Sequence, residues 1–391
     1  MNLKSKTILV ISPQAWGPMF ISKHHYALEL AKKGNTVFFL NPPNQGKGKK
    51  SFIRVETSGV DKNLFLVYHQ LWFPFSLKFH ALPLFHRLMK FHIKSLLKKI
   101  GKPIDIVWSF DIGNLCPLNY FGKSTLKIFH PVDEPLTLPA IDAAIGSDII
   151  FSVTNEILQK YHAFKIPKYF INHGVSEKFL SLPNSDYTPS SPLRIGISGN
   201  FLRGDIDRNT LISIIGENPE VRFDCWGSYL PGQTNIGGNE DTGTLEFCGQ
   251  LQQFPNVKLY GAVTSDKLAD ELKNEDGFLI CYDINKDQSK GTNYHKIMEY
   301  LATGKVIISN NVTTYKDKED LLEMTTDRSN NEELPGLFTK VVKQIQEYNK
   351  YELRKKRFDF AVSNTYEKQI LVIENLLSNI GTTTRGKETV V

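Results

Sequence analysis

Residues 278–309 constrain the fold more than any other part of the chain. An apolar run at 278–282 is followed by a polar segment and then by apolar residues at helical spacing between 297 and 302. Gly304 ends this helical pattern, and a second apolar run follows at 306–308. The order strand, loop, helix and strand is typical of a parallel α/β sheet.

Three polar residues share one face of this helix, which we expect to begin near Asn293. Asn293, Lys296 and Glu299 are spaced by three, with Asn293 as the cap. The helix N-terminus and Lys296 attract phosphate, whereas the Glu299 carboxylate accepts hydrogen bonds from neutral hydroxyls such as those of a ribose. The pattern fits a nucleoside diphosphate, although spacing taken alone favours a solvated Lys–Glu pair.

The stretch resembles the donor-binding segment of family-4-like GT-B glycosyltransferases (the glycosyltransferase group 1 type), which commonly reads Asn-Pro-x-Lys-x-x-Glu-Tyr-x-Ala-x-Gly-x-Pro-Val-Val. The matching residues are Asn293, Lys296, Glu299, Tyr300, Ala302 and Gly304, while Tyr294 and Val306 replace the two prolines. Many retaining relatives carry an acid eight positions before the glutamate, where this chain has Gly291. The resemblance implies an α/β protein of GT-B fold, with two Rossmann-like domains whose parallel sheets face a central cleft.

Length and composition agree with a two-domain globular protein. A chain of 391 residues is too long for one compact core. The formal charge of +6 suits anionic ligands, but no clustered basic motif indicates nucleic-acid binding. The four cysteines lack metal-site spacing, and no apolar run has the length of a signal-peptide core or a spanning helix. These features favour a cytoplasmic protein.

The domain limits follow from composition and from the resemblance. Residues 1–180 are expected to form the N-terminal acceptor domain, and the Ser- and Pro-rich segment 181–192 to be the linker. Residues 193–360 are expected to form the nucleotide-sugar donor domain. The resemblance implies that a helix at 361–380 crosses back to the first domain, and 381–391 is predicted to be a disordered tail.

The loop after the first strand contains Trp16 and Gly17. The first βαβ unit lacks a G-x-G-x-x-G fingerprint, which argues against a dinucleotide cofactor. In the resembling domains this loop faces the sugar, so Trp16 and Gly17 are candidates for sugar or acceptor contact. The alternative is that Trp16 is a buried anchor.

His130 and Asp133 follow a predicted strand at 126–129. The resemblance places the transferred sugar or the acceptor at such a position, which makes His130 a candidate sugar contact and Asp133 a candidate contact to an acceptor hydroxyl. We take these two as the candidate catalytic residues. A turn or capping role for Asp133 is the alternative. His24 and His25 fall on the first helix, at about the point where inverting enzymes of the resembling family often place a basic histidine; a packing or surface role is the interpretation we favour.

The second domain opens with a strand at 193–198 and the loop Gly199–Asp205. In the resembling enzymes this loop covers the diphosphate and often supplies a basic residue. Gly199, Asn200 and Arg203 are therefore candidates for donor binding, and Arg203 suits phosphate through its planar guanidinium.

Residues 69–99 combine large aromatic and basic side chains with almost no acids. This composition is typical of a patch that contacts an anionic membrane surface. An ordinary core helix with a solvated basic face, preceded by an aromatic loop, explains it as well.

Together these features predict a metal-independent glycosyltransferase of hexosyltransferase type that needs no cofactor. It would move a sugar from a nucleoside-diphosphate sugar to a hydroxyl of a glycan or lipid-linked acceptor, in cell-surface polysaccharide or glycan synthesis. Its expected place is the cytoplasm, with peripheral contact to the inner face of the membrane. The alternative is a non-catalytic nucleotide- or glycan-binding protein of GT-B fold; an epimerase of this fold has no acid constellation in its favour.

Overall fold

The computed structural model describes residues 2–44, 51–184, 186–232, 241–318 and 320–385, with side chains as far as Asn379. Within these residues the chain divides into two units. The first unit comprises the described parts of Met1–Trp16, Ile21–Asn172 and Tyr366–Val391. The second comprises those of Gly17–Phe20 and His173–Thr365.

The first unit is an α/β structure around one sheet. Its strands are β1 (Thr7–Ile11), β2 (Thr36–Leu40), β3 (Phe52–Thr57), β4 (Leu64–Gln70), β5 (Ile106–Ser109), β6 (Leu126–Phe129), β7 (Ile149–Ser152) and β8 (Lys168–Phe170). Their order in the sheet is β3-β4-β2-β1-β5-β6-β7-β8, and every pair is parallel except β3 with β4. The helices between them are α1 (Ser22–Lys32), α2 (Leu77–His80), α3 (Leu82–Ile100), α4 (Leu138–Asp142) and α5 (Asn155–Lys160).

Both faces of this sheet are covered, which explains why its central strands are continuous apolar runs. Successive residues of β1 point to opposite faces. Leu9 belongs to one core cluster with residues of α3, whereas Ile8 belongs to the other with residues of α1. The central strands are therefore fixed by burial on both sides.

The second unit repeats this architecture with a shorter sheet. Its strands are β9 (Arg194–Ser198), β10 (Arg222–Trp226), β11 (Val257–Gly261), β12 (Gly277–Ile280), β13 (Val306–Ser309) and β14 (Glu323–Met324). The order is β11-β10-β9-β12-β13-β14, with parallel pairing throughout. Its helices are α6 (Arg208–Glu217), α7 (Thr242–Gln253), α8 (Ser265–Leu272), α9 (Lys296–Leu301), α10 (Leu334–Lys343), α11 (Ile345–Tyr348) and α12 (Tyr351–Ser363).

The last helix, α13 (Tyr366–Arg385), groups with the first unit. Its residues Tyr366, Ile370 and Ile373 are buried in the core cluster that also contains α1. The helix continues to Arg385, into the stretch expected to be a tail, and residues 386–391 lie outside the described part of the chain.

Residues 173–180, expected to close the first domain, group with the second unit. Val175 pairs with Thr365 in an isolated parallel bridge, and Phe179 is buried in the core of this unit. Lys178 also pairs with Asp266 at 2.6 Å. The division between the units therefore falls at Asn172, because the following residues have their packing partners in the second unit.

One local expectation was wrong: the helix expected to begin near Asn293 begins at Lys296. Asp241 caps α7 by accepting a hydrogen bond from the backbone N–H of Thr244 at 2.9 Å. Among the described residues no helix is long and apolar enough to cross a membrane.

Candidate donor-binding site

A pocket opens in the second unit where β9 and β12 lie side by side. The chain leaves β9 towards β10 on one side of the sheet and reaches β13 from β12 on the other, so this is the point at which the strand order reverses. Ligands of open parallel sheets bind outside the carboxyl ends of the strands at such points. The pocket is lined by residues of both strands and by Gly199, Asn200, Tyr282 and Lys296.

Glycine residues allow the loops at this edge of the sheet to approach one another closely. The N–H of Gly199 donates to the carbonyl of Trp226, and the N–H of Gly227 donates to the carbonyl of Gly261, each at 2.8 Å. Gly227 has φ +134°, and its α-carbon is so close to the Gly199 carbonyl that a side chain has no room. A Cβ on Gly199 would lie 2.5 Å from Lys296 Nζ. Only glycine allows this approach of the loops, which leaves backbone next to the pocket.

Lys296, at the first position of α9, extends its side chain to the end of β9. Its ammonium donates to the carbonyl of Ser198 and, at 2.8 Å, to the hydroxyl of Tyr282. The same nitrogen lies 5.0 Å from the centroid of the Tyr282 ring. Lys296, which was predicted to bind phosphate, therefore points to the beginning of the loop Gly199–Asp205, which was predicted to cover the diphosphate.

Tyr300 fixes α9 against β9. Its hydroxyl accepts a hydrogen bond from the backbone N–H of Ser198 at 2.7 Å and lies 2.9 Å from the Ser198 hydroxyl. Its ring stacks on Phe278 of β12 at 4.1 Å between centroids. Tyr300 and the buried Ile297 and Leu301 hold the short helix so that Lys296 lies at the edge of the sheet.

Arg203 also lies near the Tyr282 ring. Its guanidinium pairs with Asp205 through two nitrogens, one of them Nε at 2.8 Å from Oδ1, and this hydrogen bonding raises the pKa of Arg203. The guanidinium carbon is 5.9 Å from the centroid of the Tyr282 ring. Lys296 and Arg203 thus both lie near the Tyr282 ring; Lys296 lines the pocket itself, whereas Arg203 is paired with Asp205.

Glu299 lies one turn after Lys296 and is 8% exposed. Burial raises its pKa to about 7, and the nearby Lys296 ammonium partly offsets this effect. One carboxylate oxygen is 3.5 Å from Nδ1 of His295. A carboxylate held at this depth is a strong acceptor for the hydroxyls of a neutral ligand group.

Asn293 is buried in the loop before α9, which Asp287 organises. Asp287 accepts hydrogen bonds from the backbone N–H groups of Ser289 and Gly291, each at 3.0 Å, and from the Tyr294 hydroxyl at 2.8 Å. These bonds hold residues 289–294 outside helical geometry, which is why the helix begins later than Asn293. Within the described residues, no group of three or more His, Cys, Asp or Glu side chains is arranged to hold a metal ion.

His130 lies directly after β6 in the first unit and its side chain is fully buried. Its ring packs against the rings of Phe110 at 5.0 Å and Tyr26 at 5.3 Å, and its Nδ1 accepts a hydrogen bond from Trp108 Nε1 at 3.3 Å. Burial lowers the pKa of His130 to about 3, so it is neutral at physiological pH. Asp133 is exposed three residues further along the chain.

The two residues of the first loop have different surroundings. Trp16 packs on the rings of His24 at 5.3 Å and Phe39 at 5.0 Å, which is the anchoring arrangement. Gly17 begins the segment that groups with the second unit. His24 bridges the loop, with Nδ1 accepting from the Ile21 N–H at 3.2 Å and Nε2 lying 3.1 Å from the Ala15 carbonyl.

Three residues had not been singled out from the sequence: Tyr282, which lines the pocket, and Asp205 and His295, which are partners of Arg203 and Glu299. Tyr282 ends an apolar run, and its position just past a buried strand is the signal that could have identified it. Asp205 and His295 are local partners of predicted residues, and nothing in the sequence distinguishes them from ordinary polar loop residues.

Solved structures with the same fold span nearly the whole chain. A sucrose-phosphate synthase from Thermosynechococcus elongatus has a TM-score of 0.68 at 12% identity, covering 97% of this chain and 100% of its own. The α,α-trehalose 6-phosphate synthase of Burkholderia multivorans has a TM-score of 0.65 at 12% identity, covering 99% of each chain. Anabaena HepE in complex with UDP and glucose has a TM-score of 0.62 at 12% identity, covering 95% of this chain and 99% of its own.

No protein-family model matches the sequence, and no curated protein matches it. At these identities the structural likeness establishes the architecture. The protein is therefore an α/β protein with the GT-B fold of nucleotide-sugar glycosyltransferases.

Proposed function

We propose that the protein is a glycosyltransferase that moves a sugar from a nucleoside-diphosphate sugar to a hydroxyl acceptor. The observation that carries the proposal is that Lys296, Tyr282 and the backbone of Gly199 line one pocket, with the Arg203 guanidinium 5.9 Å from the Tyr282 ring and Glu299 one turn beyond Lys296. Two cations and a backbone free of side chains suit a diphosphate. The similarity to HepE, whose structure contains UDP and glucose, points to the same ligand class.

The proposed roles follow from charge. Lys296 and Arg203 bind the diphosphate and stabilise the negative charge that grows on it as the glycosidic bond breaks, in place of a divalent cation. Glu299 accepts hydrogen bonds from the ribose hydroxyls. Gly199 and Asn200 provide the backbone beside the phosphates, and Asn293 closes the loop before α9.

The first unit contributes the sugar and acceptor residues in this proposal. Asp133 is exposed and is the candidate that receives the proton of the acceptor hydroxyl. His130 is fully buried and neutral, because burial lowers its pKa, so in this proposal it supports the chain that leads to Asp133 and does not touch the sugar. Trp16 and Gly17 belong to the loop proposed to contact sugar. The acceptor is a glycan or a lipid-linked saccharide, and the transferred group a hexose, in polysaccharide or glycan synthesis.

A second candidate function is nucleotide or glycan binding without catalysis. Gly291, at the position of an acid in many retaining relatives, has φ +65°, and a Cβ there would lie 2.8 Å from the Asn311 carbonyl. This position has no room for a carboxylate side chain without a shift of the loop. The observation favours either a binding protein or an enzyme whose chemistry does not use an acid at this point.

The test is a panel of UDP-, GDP- and dTDP-sugars. Calorimetry with the corresponding nucleoside diphosphates measures binding, and release of nucleoside diphosphate from each sugar measures turnover by hydrolysis or transfer. An enzyme shows both binding and turnover, whereas a binding protein shows binding without turnover. If no nucleotide of the panel binds, the proposal is wrong.

We also propose that residues 69–99 contact an anionic membrane at the cytoplasmic face. Trp72, Phe79 and Phe91 are 54%, 70% and 52% exposed. On α3 the exposed residues Leu84, Arg87, Phe91, Lys94 and Lys98 follow one face, while Phe85, Met89, Ile93 and Leu96 are buried on the other. An exposed stripe that combines apolar and basic residues fits a headgroup interface.

A further inference from the structure

Tyr282 has an unused hydrogen-bond donor at the pocket. Its hydroxyl oxygen accepts from the Lys296 ammonium at 2.8 Å. Within the described residues, the hydroxyl proton has no acceptor, since Lys296 can only donate. The residue is 8% exposed and lines the pocket, so this donor faces the space in which a ligand is expected.

The space above Gly199 is bordered by both Lys296 and Tyr282. A Cβ built on Gly199 would lie 2.5 Å from Lys296 Nζ and 3.6 Å from Tyr282 Oη. Because glycine has no such atom, a ligand oxygen that approaches the Gly199 backbone meets an ammonium and a phenol together. A phosphate oxygen is the acceptor that suits two adjacent donors, one of them charged.

The contact with Lys296 also strengthens the phenol as a donor. A hydroxyl that accepts a hydrogen bond from a cation is polarised and donates more strongly in turn, above all where water is excluded. The Tyr282 ring is held in place by Tyr294, 4.8 Å away between centroids, and its backbone N–H donates to Asn310 Oδ1 at 3.0 Å. The hydroxyl is therefore fixed next to the ammonium before any ligand arrives.

We propose that Tyr282 is a further donor-binding residue, whose hydroxyl donates to the same phosphate group that Lys296 binds. The inference rests on the proposed function, since it requires a nucleoside diphosphate in this pocket. It adds to the pair of cations a neutral donor that recognises the diphosphate without adding charge.

The test compares Tyr282→Phe with wild type in binding UDP, GDP and dTDP and the matching nucleosides by calorimetry. Phenylalanine keeps the ring and removes only the hydroxyl. The affinity for the nucleoside diphosphate should fall roughly tenfold, as expected for one hydrogen bond to a charged group, while the affinity for the nucleoside stays unchanged. In the Lys296→Met background, Tyr282→Phe should lower the affinity for the nucleoside diphosphate less than threefold, because the cation that polarises the hydroxyl is absent.

Tyr294→Phe is the matched control. This variant removes a hydroxyl that donates to Asp287 in the neighbouring loop, so it reports the effect of a looser loop without loss of the Tyr282 donor. Tyr282→His, which restores a polar donor on a ring, should recover part of the affinity and serves as the second variant if Tyr282→Phe folds poorly.

The outcomes separate the two proposals. If wild type binds a nucleoside diphosphate and Lys296→Met binds it more weakly, but Tyr282→Phe binds as tightly as wild type, the role of Tyr282 is wrong and the proposed function stands. Equal losses for diphosphate and nucleoside would also overturn the role, since they would indicate packing alone. If wild type binds no nucleoside diphosphate, both proposals are wrong.

Discussion

The imidazole of His295 lies 3.5 Å, nitrogen to oxygen, from the carboxylate of Glu299 one helical turn later. Burial raises the pKa of Glu299 to about 7, so its charge changes near neutral pH. Below this pKa the carboxyl group binds a proton and loses acceptor strength, and above it the carboxylate is fully formed. The Glu299–ribose contact is therefore expected to be present at pH 8 and lost as the pH falls.

Nucleoside binding should weaken about tenfold between pH 8 and pH 6, because only about a tenth of Glu299 is ionised one unit below a pKa of about 7. Calorimetry with the nucleoside avoids the titration of the ligand's own phosphates. Glu299→Gln should bind more weakly at pH 8 and show little dependence on pH. A wild-type affinity that is constant across this range would contradict a role for the carboxylate.

Lys296→Ala should weaken nucleoside diphosphate binding more than Glu299→Gln does. A charge-assisted hydrogen bond to phosphate contributes roughly 1.5–3 kcal/mol, whereas the glutamine amide still accepts one hydroxyl hydrogen bond. Both affinities are measured by calorimetry at pH 8. Lys286→Ala, which removes an exposed lysine paired with Asp283 at 2.9 Å, is the control for a change of charge alone. Unchanged affinity in Lys296→Ala would refute the assignment.

Acid should destabilise the protein through a buried histidine pair. His69 Nε2 donates to the Asn41 carbonyl at 3.0 Å and His69 Nδ1 accepts from His92 Nε2 at 2.9 Å, an arrangement that needs the His69 ring to be neutral. Burial lowers the pKa of each to about 4. Between pH 6.5 and 4 the unfolded chain binds more protons than the folded one, so stability falls as the pH falls, by up to about 3 kcal/mol per residue.

Thermal melts between pH 7.5 and 5 measure this effect. The double variant His69→Asn/His92→Gln should be less stable than wild type at pH 7.5, but its melting temperature should fall less than that of wild type on acidification. His162→Gln changes an exposed histidine and should leave the pH dependence as in wild type. If the double variant and wild type have parallel pH profiles, the pair does not carry the acid sensitivity.

The strands of both sheets and the order of elements at 278–309 could be predicted from the sequence, because each is indicated by residues that are close together in the chain. A parallel strand that is buried on both faces has a short, continuous apolar sequence. Gly304 marks the end of a helix independently of the tertiary contacts that the helix makes. The matching positions of Lys296 and Glu299 are likewise fixed by helical spacing. The start of α9 was misjudged because Asp287, a residue before the motif, organises the loop that contains Asn293.

The burial of His130 could not be predicted, since its surroundings come from distant parts of the chain. Tyr26 comes from α1, whereas Trp108 and Phe110 lie in and directly after β5, and only the folded sheet brings them around one imidazole. The contact between Lys296 and Tyr282 has the same origin, because it depends on two loops at the switch point of the second sheet.

Transfer or hydrolysis of the donor is expected to persist in EDTA. The Asp-x-Asp sequence at 205–207 has other partners, since Asp205 pairs with Arg203 and Asp207 caps α6. In the proposed mechanism Lys296 and Arg203 supply the positive charge for the leaving diphosphate. Rates with the best donor of the panel are compared with and without chelator, and then with added Mn²⁺. Loss of activity in EDTA with recovery in Mn²⁺ would indicate a metal-assisted mechanism instead.

Vesicle binding tests the membrane proposal for residues 69–99. Each lysine near an anionic surface contributes about 1 kcal/mol and is screened by salt, so wild type should sediment with anionic vesicles at low salt and be released as salt rises. Changing Lys90, Lys94, Lys98 and Lys99 to Gln should abolish sedimentation while nucleoside diphosphate affinity stays intact. The matched control changes the exposed Lys4, Lys62, Lys123 and Lys165 of the same unit, an equal loss of charge, and should still bind. If wild type stays in the supernatant at low salt, or if both sets of substitutions weaken binding equally, α3 is not a membrane contact and its aromatic residues serve another purpose.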